Sequence, residues 1–265
     1  MLALKLLLVP ALIGLITLAA HRWGPAVAGW LSGFPVVSGP VLLFLAVERG
    51  PEFTAQAAIG TLSAVVAILL FGLSYAWAAT RWSWFPCLLA ALAVYFIGVL
   101  ALNALAPSLV AAALLTSLGM LLAPYAFPHL DAMPGSASPQ GFNVLLRMMV
   151  GAALVLVVTR FASDLGPRLS GLLAMFPVMA SVLAVFSQRQ SGAAFTVRLL
   201  RGMVFGYHAF AVFCLVLALA LPRTGIAASF CIALACAVLI QAGSRLFLNP
   251  AKRAPLEAAA TDRIE

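Results

Sequence analysis

The chain has 265 residues, of which 65% are hydrophobic and only 8% are charged, and its mean hydropathy is +1.14. A soluble domain carries about 25% charged residues, so a water-exposed globular surface is excluded. The net charge of +8 comes from 15 Lys and Arg scattered at the ends of apolar stretches. Such a distribution is typical of membrane-orientation signals and anionic-lipid contacts, and no nucleic-acid partner is expected.

Apolar stretches bounded by charges, Pro or Gly predict an all-α, polytopic transmembrane bundle of about nine helices. In chain order they cover residues 2–20, 25–47, 53–79, 84–102, 108–127, 144–162, 167–187, 195–221 and 226–248. The first resembles a secretory signal peptide because Lys5 precedes an apolar run, but we expect it to be retained because it has a counterpart later in the chain. A connection rich in Pro, Gly and Ser at 128–142 predicts a linker between two halves.

The two halves are related by an internal repeat at a constant offset of 142 residues. Paired Gly-Pro, Phe-Pro and Phe-Thr dipeptides match without a gap, which rarely happens by chance even in an apolar chain. The first-half residues Gly24, Pro25, Gly29, Leu31, Phe34, Pro35, Val36, Phe44, Gly50, Phe53, Thr54 and Gly60 align with Gly166, Pro167, Gly171, Leu173, Phe176, Pro177, Val178, Phe186, Gly192, Phe195, Thr196 and Gly202.

The repeat predicts four regions along the chain. Residues 1–106 form a first membrane repeat and 107–142 a linking transmembrane helix with a polar linker, followed by a second membrane repeat at 143–248 and a cytoplasmic tail at 249–265. Each repeat has about four helices, so the fifth, linking helix inverts the second copy across the membrane. Ten of the 15 Lys and Arg fall on the side of the C-terminus. This bias predicts a bacterial inner-membrane protein with a cytoplasmic C-terminus and a periplasmic N-terminus.

A Phe-Pro dipeptide interrupts the second helix of each repeat. Pro35 lies about 15 Å into the helix that starts at Pro25, and Pro177 takes the same position in the other copy. The missing N–H groups are expected to free the carbonyl oxygens of Leu31 and Leu173, which a membrane tolerates only against protein or a wet cavity. Two interpretations stay open: a proline kink for helix packing, or a broken helix that lines a substrate site.

The residues near these interruptions are the candidates for a substrate pathway. His208 joins them because an ionisable residue in mid-helix is often functional, although its counterpart is Val66 and a packing role with a hydrogen bond to a neighbouring helix is the alternative. The predicted pathway residues are Phe34, Pro35, Ser38, Phe176, Pro177, Ser181 and His208.

Other features of the second half favour packing over chemistry. Arg198 and Arg201, three residues apart, are candidates to contact an anion or a lipid headgroup, or simply to extend towards the membrane surface. Gly202 and Gly206 have the spacing that permits close helix approach. No catalytic motif, metal-ligand set or cofactor motif is recognisable, so an enzyme is not expected. Four cysteines in apolar runs are predicted to fill the core: Cys87, Cys214, Cys231 and Cys236.

Two short runs of the second half resemble the GlpM-like family of small, four-helix bacterial inner-membrane proteins. The runs are Ser170, Gly171, Leu172, Leu173, Ala174, Met175, Phe176, Pro177 and Arg201, Gly202, Met203, Val204, Phe205, Gly206. The resemblance implies two such units fused through an extra helix, and a link to exopolysaccharide production without a defined chemistry. The first copy departs from the pattern, since Trp30 and Gly33 replace Leu172 and Met175.

Two functions are consistent with these patterns. The inverted repeat and the paired prolines favour a permease for a small solute that is uncharged or weakly anionic. The shortage of buried polar groups favours the alternative, a non-transporting accessory protein of an envelope or exopolysaccharide pathway. The sequence indicates neither the solute nor the oligomeric state.

Overall fold

The computed structural model describes residues 2–35, 38–130, 141–162 and 176–248, and the regular structure in these ranges is entirely α-helical. Its helices are α1 (Leu2–Trp23), α2 (Pro25–Ser32), α3 (Ser38–Arg49), α4 (Pro51–Ala78), α5 (Trp84–Leu105), α6 (Leu109–Ala126), α7 (Gly141–Ala162), α8 (Val178–Ala220) and α9 (Ile226–Leu248). Five of them, α4, α5, α6, α8 and α9, are long and apolar enough to cross a membrane. The chain is therefore a multi-pass membrane protein with an all-α fold, as predicted.

Two predicted helices are divided differently in the structure. The single helix predicted at 25–47 is two helices, α2 and α3, because the chain leaves the helical conformation at Gly33. The helices predicted at 167–187 and 195–221 form, in their described part, the long α8, which contains a sharp turn at Gly192 with φ 79° and ψ 178°. Only glycine adopts this backbone conformation readily, so Gly192 fixes where one helix gives way to the next.

The helix boundaries of the second half follow those of the first at an offset of 142. Adding 142 to the bounds of α3 and α4 gives 180–191 and 193–220, which are the two segments of α8 on either side of its turn. Adding 142 to the bounds of α5 gives 226–247, and α9 covers Ile226–Leu248. The described parts of the two halves thus have the same succession of helices.

The two helical hairpins also share their local geometry. Gly50 has φ 90° and ψ 167°, close to the values of Gly192, its partner in the repeat. The hydroxyl of Thr54 donates to the carbonyl oxygen of Gly50 at 3.0 Å, and Thr196 donates to Gly192 at 3.0 Å. Each hairpin therefore combines a glycine in a conformation closed to other residues with a threonine that satisfies the glycine's carbonyl group.

Helices α1 and α7, which correspond in the repeat, lie against each other in opposite directions. Ile13 of α1 contacts Gly151 of α7, whereas Thr17, one turn further along α1, bonds to Arg147, one turn earlier in α7. The two helices are therefore antiparallel. An antiparallel contact between corresponding helices is the arrangement expected around a two-fold axis that lies in the membrane plane.

Helix α2 crosses α8 at glycines, with the two backbones in direct contact. A Cβ atom on Gly29 would overlap the carbonyl oxygen of Leu199, and one on Gly33 would overlap the backbone of Gly206. A Cβ on Gly202 would likewise meet the backbone of α2. The close helix approach predicted from the spacing of Gly202 and Gly206 is confirmed.

The interruption between α2 and α3 does not reverse the chain. Gly33, at the end of α2, lies against Gly206, and Gly39, at the start of α3, faces the ring of Phe213 seven residues further along α8. Both helices thus follow α8 in one direction. Helices α2 and α3 form one interrupted segment, and its length of 25 residues suits a single membrane crossing.

Helix α4 lies at the centre of the bundle and packs against α5, α6 and α8. Among the 18 most apolar consecutive residues of α4, 72% are buried, whereas in the equivalent stretch of α9 only 22% are buried. The outer helices expose large apolar side chains such as Leu100 and Leu239, which suit contact with lipid. Cys87 and Cys214 are buried as expected, but the prediction was wrong for Cys231, which lies on the outward face of α9.

Because the backbones of α2 and α8 are in contact at these glycines, a methyl group added at one of them should destabilise the protein. We expect Gly206→Ala to lower the free energy of unfolding by about 1–3 kcal/mol, because the new Cβ has no room against the backbone of α2. The matched control is Gly243→Ala in α9, where nothing lies within 4 Å of the added atom. Unfolding by SDS titration in mixed micelles measures both, and equal stabilities of the two variants would contradict this packing.

Candidate functional site

The end of α2 tightens into a turn that satisfies part of its own backbone. The N–H of Phe34 donates to the carbonyl oxygen of Leu31 at 3.3 Å, so the expectation that Pro35 frees this carbonyl was wrong. A three-residue turn takes the place of the bond that the proline cannot make. The corresponding prediction for Leu173 falls outside the described residues.

The backbone carbonyl that bonds across helices at this point belongs to Trp30. It accepts a hydrogen bond of 2.9 Å from Nε2 of Gln241 on α9. The indole Nε1 of Trp30 donates to the hydroxyl of Ser244 at 2.8 Å, and that hydroxyl donates to the carbonyl oxygen of Gln241 at 3.0 Å. We call Trp30, Gln241 and Ser244 the Trp30 cluster, a polar group that joins α2 to α9 beside the helix break.

The Trp30 cluster contains one unused acceptor. The side chain of Gln241 is 7% exposed, and its Oε1 atom is buried without a hydrogen-bond partner. The amide orientation is fixed by chemistry, because the carbonyl oxygen of Trp30 can only accept and must face the Gln241 NH₂ group. A buried amide oxygen without a partner costs about 1–3 kcal/mol, so a hydrogen-bond donor placed there is stabilising.

We call Pro177, which directly precedes α8 and corresponds to Pro35 in the repeat, the second break. With φ −75° and ψ 51° this residue forms an inverse γ-turn, in which the N–H of Val178 donates to the carbonyl oxygen of Phe176 at 2.7 Å. The ring of Phe176 packs edge-on against Tyr95 of α5, with centroids 5.8 Å apart. The aromatic residue of this Phe-Pro pair therefore anchors the break to the neighbouring helix.

Both breaks are followed by the same backbone hydrogen bond. The N–H of Gly39 donates to the carbonyl oxygen of Pro35 at 2.9 Å, and the N–H of Ser181 donates to Pro177 at 2.8 Å. Ser181 replaces Gly39 at this point of the repeat, and its hydroxyl oxygen is buried without a partner. Ser38, by contrast, is half-buried at the start of α3.

The other predicted site residues lie on α8 and bond within that helix. Nδ1 of His208 donates to the carbonyl oxygen of Val204 at 3.0 Å, which is a bond within α8 and not to a neighbouring helix. Arg198 is exposed and donates from Nε to the carbonyl oxygen of Ala194 at 3.3 Å, whereas Arg201 is half-buried. In the described chain no ring contact joins Phe34 to Phe176.

A small apolar cavity lies between α4 and α8. Its volume is about 10 Å³, which is room for roughly one water molecule. His208 does not border it. The lining residues are Ile68, Leu69, Phe71, Gly72, Phe127, Ala180, Leu200, Met203, Val204 and Tyr207.

Sequence reasoning found the two breaks but missed the Trp30 cluster. The residue that could have indicated this cluster is Gln241, because an amide is rare in so apolar a helix and usually bonds to a neighbouring helix. Its partner is a backbone carbonyl 211 residues away, which no sequence pattern identifies. Comparison of the chain with protein-family models, curated proteins and solved structures finds no match.

We expect Gln241→Leu to lower the free energy of unfolding by about 1–3 kcal/mol, since the carbonyl of Trp30 loses its bond to α9. Gln56→Leu is the matched control, because Gln56 is exposed on α4. The SDS titration described for the glycine variants measures the difference. If the two substitutions have the same effect, the Trp30 cluster does not stabilise the contact between α2 and α9.

Proposed function

We propose that this membrane protein is a permease for a small solute that is uncharged or weakly anionic. The observation that carries the proposal is that an unpartnered, buried polar atom lies beside each Phe-Pro pair. These atoms are Oε1 of Gln241 at the first break and the hydroxyl of Ser181 at the second. Broken helices in mid-membrane are where secondary transporters form their substrate sites.

The relation between the two halves supports an inverted repeat. Helices α1 and α7 correspond in the sequence and pack antiparallel, and the hairpins at Gly50 and Gly192 have matching backbone angles. Gln188, near the second hairpin, accepts a hydrogen bond of 2.8 Å from Tyr75, near the end of α4 furthest from Gly50. The two hairpins thus lie at opposite ends of the bundle, as two repeats of opposite orientation require.

The chemistry of the two free atoms favours a solute that donates hydrogen bonds. An amide oxygen only accepts, and a serine hydroxyl both accepts and donates. Hydroxyl and amide groups of a neutral solute match this pair. The acidic residues of the described chain, Glu48 and Glu52, are exposed at the first hairpin, away from both breaks. A cationic solute would find no carboxylate beside either atom in this part of the chain.

The same arrangement supports the proposed orientation in a bacterial inner membrane. A chain with nine crossings has its ends on opposite sides of the membrane, and the bias of Lys and Arg towards the side of the C-terminus favours a cytoplasmic C-terminus and a periplasmic N-terminus. We expect a reporter active only in the cytoplasm to function at the C-terminus and to fail at the N-terminus. Fusions at both ends, with a periplasmic reporter as the reciprocal control, measure this. Two ends on one side of the membrane would exclude the inverted repeat.

Transport is tested by solute flux into proteoliposomes. We expect small polyols, urea or amides to cross faster than in protein-free vesicles, measured by osmotic swelling in stopped-flow light scattering. Ser181→Ala and Gln241→Leu should each reduce the rate by about tenfold if one hydrogen bond to the solute is lost. Gln56→Leu serves as the control and should retain the wild-type rate.

The breaks themselves provide a second readout. Pro35→Ala and Pro177→Ala restore the N–H group that a continuous helix needs, so both should reduce flux. If none of the solutes crosses faster than in empty vesicles, and both proline variants behave as wild type in cells, the permease proposal is wrong.

The second candidate is a non-transporting accessory protein of an envelope or exopolysaccharide pathway. The shortage of buried polar side chains among the described residues favours it, and the cavity of about 10 Å³ between α4 and α8 is itself too small for any of these solutes. The resemblance to GlpM-like proteins agrees with it. Purification for the flux assay distinguishes the two candidate functions. An accessory protein should retain stable membrane partners after crosslinking, whereas a permease should be recovered without partners and should be active.

A further inference from the structure

Arg147 lies in the second turn of α7. It is the buried charged residue of the described chain, with only 4% of its surface exposed. Burying a charge is costly unless a partner of opposite charge compensates it. The groups around Arg147 therefore decide what this position can do.

The guanidinium group is held by neutral groups. Nη1 donates to the hydroxyl of Thr17 on α1 at 3.2 Å, and Nη2 donates to Oε1 of Gln190 on α8 at 2.5 Å. The ring of Phe186 lies beneath it, with the guanidinium carbon 5.4 Å from the ring centroid. Nε is buried without a hydrogen-bond partner. Three groups on two helices, α1 and α8, orient the cation, and none of them neutralises it.

The corresponding residues of the first repeat include a carboxylate, whereas those around Arg147 do not. At an offset of 142, Gln190 corresponds to Glu48 and Arg147 to Lys5. The first half thus has a carboxylate where the second half has a neutral amide. Both carboxylates of the described chain, Glu48 and Glu52, flank the hairpin at Gly50, at the other end of the bundle. The charge of Arg147 therefore has no counter-ion among the described residues.

The guanidinium group of Arg147 is separated from the surface of the bundle by a single side chain, that of Gln190. Gln190, which covers Nη2, is itself exposed and lies two residues before the turn at Gly192. The exposed cations near this end of the described chain include Arg22, Arg189 and Arg198. Exposed apolar side chains of α7, Leu145 and Met149, flank Arg147 in sequence and suit contact with lipid. A helix end of this kind, positive and bordered by an apolar face, suits the depth of lipid headgroups.

We propose that Arg147 is the binding residue for an oxyanion, in particular a phosphate group. Nε and Nη2 form one edge of the guanidinium plane, which is the edge that binds two oxygens of a phosphate or carboxylate at once. A phosphate that takes the place of the Gln190 amide oxygen satisfies Nη2, pairs the free Nε and neutralises the buried charge. The phosphate comes either from a phospholipid headgroup or from a free anion.

The experiment uses the purified full chain in two settings. In a phosphate-free neutral detergent, the melting temperature is measured with and without added phosphatidylglycerol; in the same detergent without lipid, inorganic phosphate is compared with chloride at equal ionic strength. We expect Arg147→Gln to weaken anion binding by about tenfold or more. Arg81→Gln is the matched control, because Arg81 is exposed in the turn between α4 and α5.

Gln190→Glu tests the same site without removing the arginine. The new carboxylate supplies beside Arg147 the charge that Glu48 carries at the corresponding position of the first half, so this variant should melt at a higher temperature without anions and should no longer respond to them. It keeps the proposal testable if Arg147→Gln does not fold.

A response to phosphatidylglycerol alone identifies a headgroup site, and a response to inorganic phosphate in detergent identifies a site for a free oxyanion. If wild type and Gln190→Glu respond alike in both settings, the proposal is wrong. The permease proposal concerns Gln241 and Ser181, so solute flux and anion binding fail independently.

Discussion

The contact between the backbones of α2 and α8 determines the arrangement of the helices around it. Gly29 and Gly33 meet Gly202 and Gly206 with no side chain between them. In a membrane, where lipid is as apolar as the helices, such close packing supplies much of the energy of association. Because α2 lies so close to α8, the carbonyl of Trp30 comes within reach of α9, and the break after α2 is held inside the bundle.

The breaks then face the requirement that every polar backbone group in lipid has a partner. The first break meets it with a turn at Leu31 and with the amide of Gln241, and the second with an inverse γ-turn at Pro177. These backbone groups have partners, whereas a buried side-chain atom beside each Phe-Pro pair has none. Those atoms, on Gln241 and Ser181, are the groups on which the permease proposal rests.

The two halves share their backbone but differ in polar side chains. The Trp30 cluster has only apolar counterparts, with Leu172 in the place of Trp30. Tyr75 donates to Gln188, which in turn donates to the carbonyl oxygen of Trp82 at 2.9 Å, and this network fixes the second hairpin against α4 and α5. In the first half Ala46 replaces Gln188. The same succession of helices therefore carries different polar groups in the two halves.

Local physical chemistry in the sequence determined the class of protein, most helix boundaries, the glycines that permit close approach and the positions of both breaks. Hydropathy, proline and glycine act on their own neighbourhood, so their effects are visible without a structure. Only the tertiary structure decided which polar atoms meet. Trp30 and Gln241 are 211 residues apart, and Arg147 is held by Thr17 and Gln190 on two other helices. Such pairings depend on how the helices pack. Because the chain is so apolar, its sequence pattern is compatible with many packing arrangements and does not select one.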